Sequence, residues 1–297
     1  MTTPLLTGYP PTSFMSLSPR VLLSIDYEPV FALFRHYDKL TDHEQRRNLD
    51  AGFTSDAIDP ILEQLGDSKA SIYLVGEIAG WYPEVPEKII AAGHELGLHC
   101  QIHRPLINVK ELAEDLRASA VWCQQYGVRG YRAPMVGISE SGYELLGDAG
   151  FLYSSSIYAP AGTLLRKGKV WEIPVSTLRL HGKNEEYIAP RDFSFNLLFG
   201  GEFPYGSSFS IGLMGKRLFK IIEQELKRGL SPVLILHPYE LVSPGISSRL
   251  TRDLMRNPLF LPFLRDKSFF LAELLRNFPV SPLGTYLEET LKIMEAR

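Results

Sequence analysis

Short apolar runs and amphipathic stretches alternate along the first two-thirds of the chain. Residues 20–25 (RVLLSI) form an apolar, partly β-branched run of strand length. Ile58, Ile61, Leu62 and Leu65 then recur at helical spacing, and Gly66 follows as a stop. Residues 70–75 predict a second strand, 84–92 a helix ending at Gly93, and 94–99 a third strand. Leu112, Leu116, Ala120 and Cys123 mark another helical face. Residues 130–132, 152–156, 169–175 and 232–236 are further strand candidates, and one long amphipathic helix over about 214–227 precedes the last. This alternation implies parallel pairing through right-handed crossovers, hence an α/β sheet or barrel. There is no Gly-rich dinucleotide turn after the first strand and no Walker-type loop, so a nucleotide-binding doubly wound fold is unsupported.

Two stretches interrupt the rhythm. Residues 179–211 are rich in glycine and aromatics (Phe193, Phe195, Phe199, Phe203, Tyr205, Phe209) without a clear period. They read as a β-excursion packed on the barrel edge, with a loop or lid lining a substrate cleft as the alternative. In residues 249–278, Arg249, Arg252, Arg256, Arg265 and Lys267 interleave with LFLPFL and FFLAELL. Helices packing on the domain account for this pattern, and contact with an anionic membrane surface is the other reading. The expected organisation is a single domain: a barrel over residues 18–245, carrying the 179–211 excursion, and a C-terminal helical extension over 246–297.

Composition narrows the class without naming a chemistry. The 297 residues are 45% hydrophobic and 22% charged, which suits a substantial core and excludes disorder or a coiled coil as the dominant state. A net charge of −3 gives no general attraction to nucleic acid. Cys100 and Cys123 cannot build a disulfide framework and fit a reducing compartment. Residues 1–19 hold Pro4, Gly8, Pro10 and Pro11, with no basic residue ahead of an apolar core, so no export signal is expected there. No window reaches the roughly 20 apolar residues of a spanning helix. The expected location is the cytoplasm, with peripheral contact to the inner face of the membrane as an added option.

Four polar clusters fall at the ends of predicted strands: Ser24-Ile25-Asp26-Tyr27-Glu28, His99-Cys100-Gln101-Ile102-His103, Tyr131-Arg132-Ala133-Pro134, and Leu236-His237-Pro238-Tyr239-Glu240. In a parallel barrel those ends share one face, where active sites are built. His99 and His103, four apart, can meet on a helix face or in a curled loop, and two imidazoles with a carboxylate make a three-ligand metal site. Two carboxylates closing an apolar strand are costly unless solvated, paired or metal-bound. For Asp26 and Glu28 to face one site, a turn after Asp26 is expected; one would complete the metal triad and the other take a proton from water. His237 suits a capped structural residue or a general acid, and Arg132 a surface or capping residue or a carboxylate clamp.

Together these motifs resemble the polysaccharide deacetylase family. The densest stretch, ASIYLVGEIAGWYPEVPEKIIAAGHELGLHCQIH at 70–103, is similar to the family's strand–helix–strand segment leading into a His-x-x-x-His metal motif. IDYE resembles the first motif, GYRAP the Arg-Pro motif, GFLYSSSI the segment after it, and LILHPYE the last motif. The resemblance runs from about residue 20 to 241. WEIPVSTLRL further resembles a subgroup of surface-glycan or exopolysaccharide biosynthesis. It implies a distorted (β/α) barrel of about seven strands and metal-dependent removal of an N-acyl group, usually acetyl, from an amino sugar. His99, His103 and a carboxylate would bind the metal; Asp26 would be the base, Arg132 its orienting partner and His237 the acid. Tyr27, Tyr131, Pro134 and Glu240 would lie at the substrate.

This chain has Asp26-Tyr27-Glu28 where most members have adjacent aspartates, so Glu28 is expected as the metal carboxylate and Asp26 stays the alternative. An aspartate often found near Ser154 is absent, and Glu240 is a substitute for tuning His237. The implied metal is zinc, with cobalt, nickel or iron also suited to the ligands. With no export signal, the expected substrate is a nucleotide- or lipid-linked glycan precursor. The competing readings are a deformylase or other non-peptide C–N bond hydrolase, and a catalytically impaired sugar-binding homologue marked by the Asp26-Tyr27-Glu28 departure.

Overall fold

Strands buried on both faces need near-continuous apolar runs, and the chain supplies them in parallel array. The computed structural model describes residues 17–34, 37–180, 191, 195–244, 252–253 and 255–296. Among these, β1 (Val21–Tyr27) and β2 (Ser71–Val75) are buried at every position. They are followed by β3 (Glu95–Cys100), β4 (Gly130–Tyr131), β5 (Tyr153–Ser154), β6 (Tyr158–Pro160), β7 (Leu165–Lys167) and β8 (Val170–Glu172). The remaining strands are β9 (Val175–Arg179), β10 (Glu202–Phe203), β11 (Val233–Leu236) and β12 (Val280–Ser281). The main sheet runs β11-β1-β2-β3-β4-β5-β8, every pair parallel, with β7 antiparallel on β8. Helices Phe53–Leu65, Glu84–Ala91, Val109–Gln125 and Glu140–Asp148 return the chain between strands. The sheet curls into the distorted (β/α) barrel that the resemblance implied.

Closure between β8 and β11 is indirect. β6, β9 and β10 form a separate three-stranded sheet. The Ser176 hydroxyl of β9 accepts the Val233 amide at 2.8 Å. Gly206 extends the bridge: its amide donates to the Ser176 carbonyl and its carbonyl accepts the Ile235 amide, both at 2.9 Å. A Cβ there would stand 2.2 Å from the Val233 carbonyl oxygen, so only glycine permits this approach.

Three expectations change in detail. The strand expected at 169–175 is two strands, because Pro174 has no amide to continue a ladder and the chain leaves β5 there for the second sheet. The helix expected over about 214–227 starts later, at Leu218: Gly215, with a φ of 52°, ends the separate helix Ser208–Met214, and a 3-10 turn over Gly215–Arg217 leads into Leu218–Lys227. The C-terminal segment supplies more than helices: β12 pairs in parallel with the start of β1, and helix Leu283–Glu295 caps the barrel floor. Its Leu283 amide donates to Ser71 Oγ at 2.8 Å and its Gly284 amide to Glu95 Oε2 at 3.0 Å. In the 179–211 excursion, β10 pairs antiparallel with β9, and buried Glu202 accepts from Thr177 and Arg191 at 2.7 Å each. Residues 181–190 and 192–194, including Phe193, lie outside the described residues, as do residues 1–16 and Arg249. Among the described residues, no helix is long and apolar enough to cross a membrane.

The barrel interior prepares the site from below. Tyr73 fills the lumen beside Gly97 of β3, and its hydroxyl meets that of Tyr153 at 3.0 Å. A Cβ at position 97 would fall 2.4 Å from the Tyr73 ring. Gly97→Ala is therefore expected to destabilise the fold by about 1–3 kcal/mol through overpacking. A thermal melt checks this, and an unchanged midpoint would mean Tyr73 is not wedged there.

Candidate metal and acid–base site

Strand alternation sets which side chains of β1 enter the lumen. Ser24, Asp26 and Glu28 are spaced by two and share the inner face, while Tyr27 points outward, its hydroxyl on the Thr54 carbonyl at 2.5 Å. The turn expected after Asp26 is not needed, because β1 continues through Tyr27 and residues two apart already face the same way. His99 sits within β3, His103 in the loop beyond, Arg132 directly after β4, and His237 directly after β11. As β11, β1, β2, β3 and β4 are consecutive in the sheet, these ends converge.

Glu28 is the hub. Its Oε2 lies 2.9 Å from His103 Nε2 and 3.4 Å from His99 Nε2, and its Oε1 lies 3.8 Å from His237 Nε2. The Tyr239 hydroxyl donates to Glu28 Oε1 at 2.8 Å, and its ring stacks on His237 at 5.1 Å. Arg132 is wholly buried over the Tyr73 ring, with Nη2 donating to Ser155 at 2.9 Å and Ser24 at 3.2 Å. Its Nη1 is 3.5 Å from Asp26 Oδ1, and its carbonyl meets His99 Nδ1 at 2.8 Å. One residue thus steadies both the candidate base and one imidazole.

The donor set fits a divalent metal. A carbonyl only accepts, so His99 Nδ1 carries the hydrogen and Nε2 presents its lone pair. Glu28, His99 and His103 bring ligand atoms within 4.8 Å of one another, all buried. Acceptors crowded in a buried pocket repel unless a proton or cation lies among them, and two imidazoles with one carboxylate are a catalytic metal triad. Among the described residues this is the cluster of such ligands.

Electrostatics follow the same geometry. Burial would raise the Glu28 carboxyl, but the charge and hydrogen bond of His103, with the nearby His237 charge, hold it well below the carboxylate range. Burial would lower His103 and His237, yet both are raised: His103 by the charge and hydrogen bond of Glu28, His237 by those of Glu240. For Glu240 itself, burial is outweighed by the His237 and Lys267 charges, which keep it ionised.

Four expected substrate contacts are placed elsewhere. Tyr27 faces the outer helix layer, for the alternation reason above. Tyr131 is wholly buried, edge-on to Phe151, and Pro134 is buried at the start of a 3-10 turn. Glu240 is also buried, with His237 Nδ1 at 3.1 Å, so it serves the imidazole and not the substrate. Sequence reasoning gave no role to Ser24 and Ser155, which lie under Arg132, or to Tyr239 against Glu28, although all three were in view inside the quoted motifs: Ser24 opens the first cluster, Ser155 lies in GFLYSSSI and Tyr239 in HPYE.

No protein-family model and no curated protein matches the sequence. Solved structures do match its fold. One described as a polysaccharide deacetylase from Mycobacterium smegmatis is 17% identical, covers 92% of this chain and 96% of its own, and has a TM-score of 0.52. A second, so described from Pseudomonas aeruginosa PAO1, is 14% identical, covers 90% and 88%, and has a TM-score of 0.54. Puue allantoinase is 13% identical, covers 94% and 96%, and has a TM-score of 0.52. At such identities the likeness is one of architecture: the chain has the distorted (β/α)-barrel fold of these polysaccharide deacetylases and of this allantoinase.

Proposed function

We propose that the chain is a metal-dependent hydrolase that removes an N-acyl group, acetyl before formyl, from an amino sugar. The observation that carries the reading is the convergence of Glu28, His99 and His103 on one buried point with His237 against Glu28. A divalent metal held by these three residues, zinc first, would supply Lewis acidity to the amide carbonyl and the attacking water. Asp26, held by Arg132, takes the proton of that water. His237, with Nδ1 on Glu240 and Nε2 turned to the cluster, protonates the departing sugar amine. Glu28 reaching both imidazoles supports a working ligand set despite the Asp26-Tyr27-Glu28 spacing, and so favours catalysis over binding alone.

For the carrier, the reading keeps a nucleotide- or lipid-linked precursor on the cytoplasmic side, and one flank favours lipid. Leu213, Leu261 and Phe269 are exposed, as are Arg252, Arg256 and Arg265, and Lys216 sits 4.1 Å over the Phe269 ring. Lys267, one of the cations that the membrane alternative counted, is buried. The likeness to an allantoinase supports a second reading, hydrolysis of another non-peptide C–N bond.

The test is acetate and formate release from N-acetyl and N-formyl amino sugars carried on nucleotides and on polyprenyl phosphates, with allantoin in parallel. Acetate release, fastest from the lipid-linked sugar, is expected. Formate alone would replace the acyl assignment, turnover of allantoin alone the sugar assignment, and no release from any substrate would oppose the reading.

A further inference from the structure

We propose that Lys267 is a positioning residue for His237, acting through Glu240, so that the C-terminal segment completes the acid half of the site. The inference rests on the hydrolase reading above. Glu240 Oε1 receives His237 Nδ1 at 3.1 Å, Lys267 Nζ at 2.8 Å and the Ser208 hydroxyl, while Oε2 accepts the His237 amide at 2.9 Å. An ammonium has three N–H donors. Those of Lys267 are matched by Glu240 and by the carbonyls of Pro262 and Phe263 at 3.0 and 3.3 Å, and the side chain is 2% exposed. Burial holds this ammonium below the usual lysine value although Glu240 pulls it up, and the full set of acceptors is one that suits the charged form.

The clamp reaches the main chain as well. The Lys267 amide donates to the Glu240 carbonyl at 2.7 Å, and Ser268 Oγ to the Leu241 carbonyl at 2.9 Å. Phe263, whose carbonyl Lys267 holds, presents its ring edge to His237 at 6.2 Å. A carboxylate that must hold one imidazole proton in one direction needs its own orientation set, and the ammonium sets it. The buried carboxylates of the site are thereby each matched: Asp26 by Arg132, Glu28 by the imidazoles, Glu240 by Lys267. A bystander ion pair would need neither the carbonyl contacts nor the shared oxygen.

The test compares Lys267→Met, Glu240→Gln and the double variant, using steady-state kinetics of acyl release and 15N-histidine NMR of the His237 ring. Lys267→Met is expected to lower kcat by about 10- to 100-fold with KM unchanged, and to shift the His237 nitrogen signals. The double variant is expected to match Glu240→Gln alone, because Lys267 acts only through that carboxylate. Wild-type kcat in Lys267→Met, a loss that adds in full to that of Glu240→Gln, or unmoved His237 signals would overturn the proposal. If Lys267→Met does not fold, the double variant, which leaves no lone buried charge, decides by the same comparison. If the wild type releases no acyl group, the hydrolase reading fails, and the NMR comparison still decides whether Lys267 orients His237.

Discussion

Replacing His103 with alanine is expected to abolish metal binding and to bring acyl release down to background. Its Nε2 makes the shortest of the three contacts to Glu28, and among the described residues no other imidazole stands as near. Loss of Lewis acidity removes several kcal/mol of transition-state stabilisation, on the order of 10³-fold or more in rate. The cut also leaves Glu28 buried with less compensation, so the variant must be shown folded by circular dichroism. Metal stoichiometry after gel filtration is the readout that separates the ligand from a packing role. His103→Ala with full metal content and wild-type turnover would remove His103 from the ligand set.

The second large effect is expected at Asp26. Asp26→Asn keeps the shape but cannot take a proton, and should lower kcat by about 10²–10⁴-fold while metal content stays at the wild-type level. Arg132 retains Ser24, Ser155 and the Tyr73 ring, so the fold should tolerate the change. His237→Ala should cost a similar factor by another route, and leaving-group chemistry tells the two apart. A proton donor matters less when the departing amine is weakly basic, so the His237→Ala deficit should shrink on N-acyl aryl amines and the Asp26→Asn deficit should not. Equal deficits across the series would exchange or abolish the two roles.

The barrel was legible because buried parallel strands announce themselves as apolar runs, and β1, β2, β3 and β11 all sit within a residue or two of their expected bounds. It failed where one residue overrides a periodic pattern: Pro174 divides a run into two strands, and Gly215 delays the start of an amphipathic helix to Leu218. The expected metal ligands and acid–base residues are brought together because each lies at a strand end, a position that periodicity can locate. The supporting residues were not legible. Ser155 and Ser24 are ordinary small residues until the barrel closes around Arg132. Lys267 read only as one of several interleaved cations, because burial of a charge is set by its partners and Glu240 lies 27 positions earlier in the chain. Tyr27 was misplaced by proximity in sequence, since neighbours in a strand face opposite ways.

The central claim is that this cluster is a metal-dependent hydrolytic site. Its most direct test is acetate release from an N-acetylated amino-sugar substrate, followed as a divalent metal is returned to chelator-stripped protein. The account expects no release from the stripped protein and a rise that saturates at one metal per chain. Full release without metal, or none once the metal is bound, would contradict it.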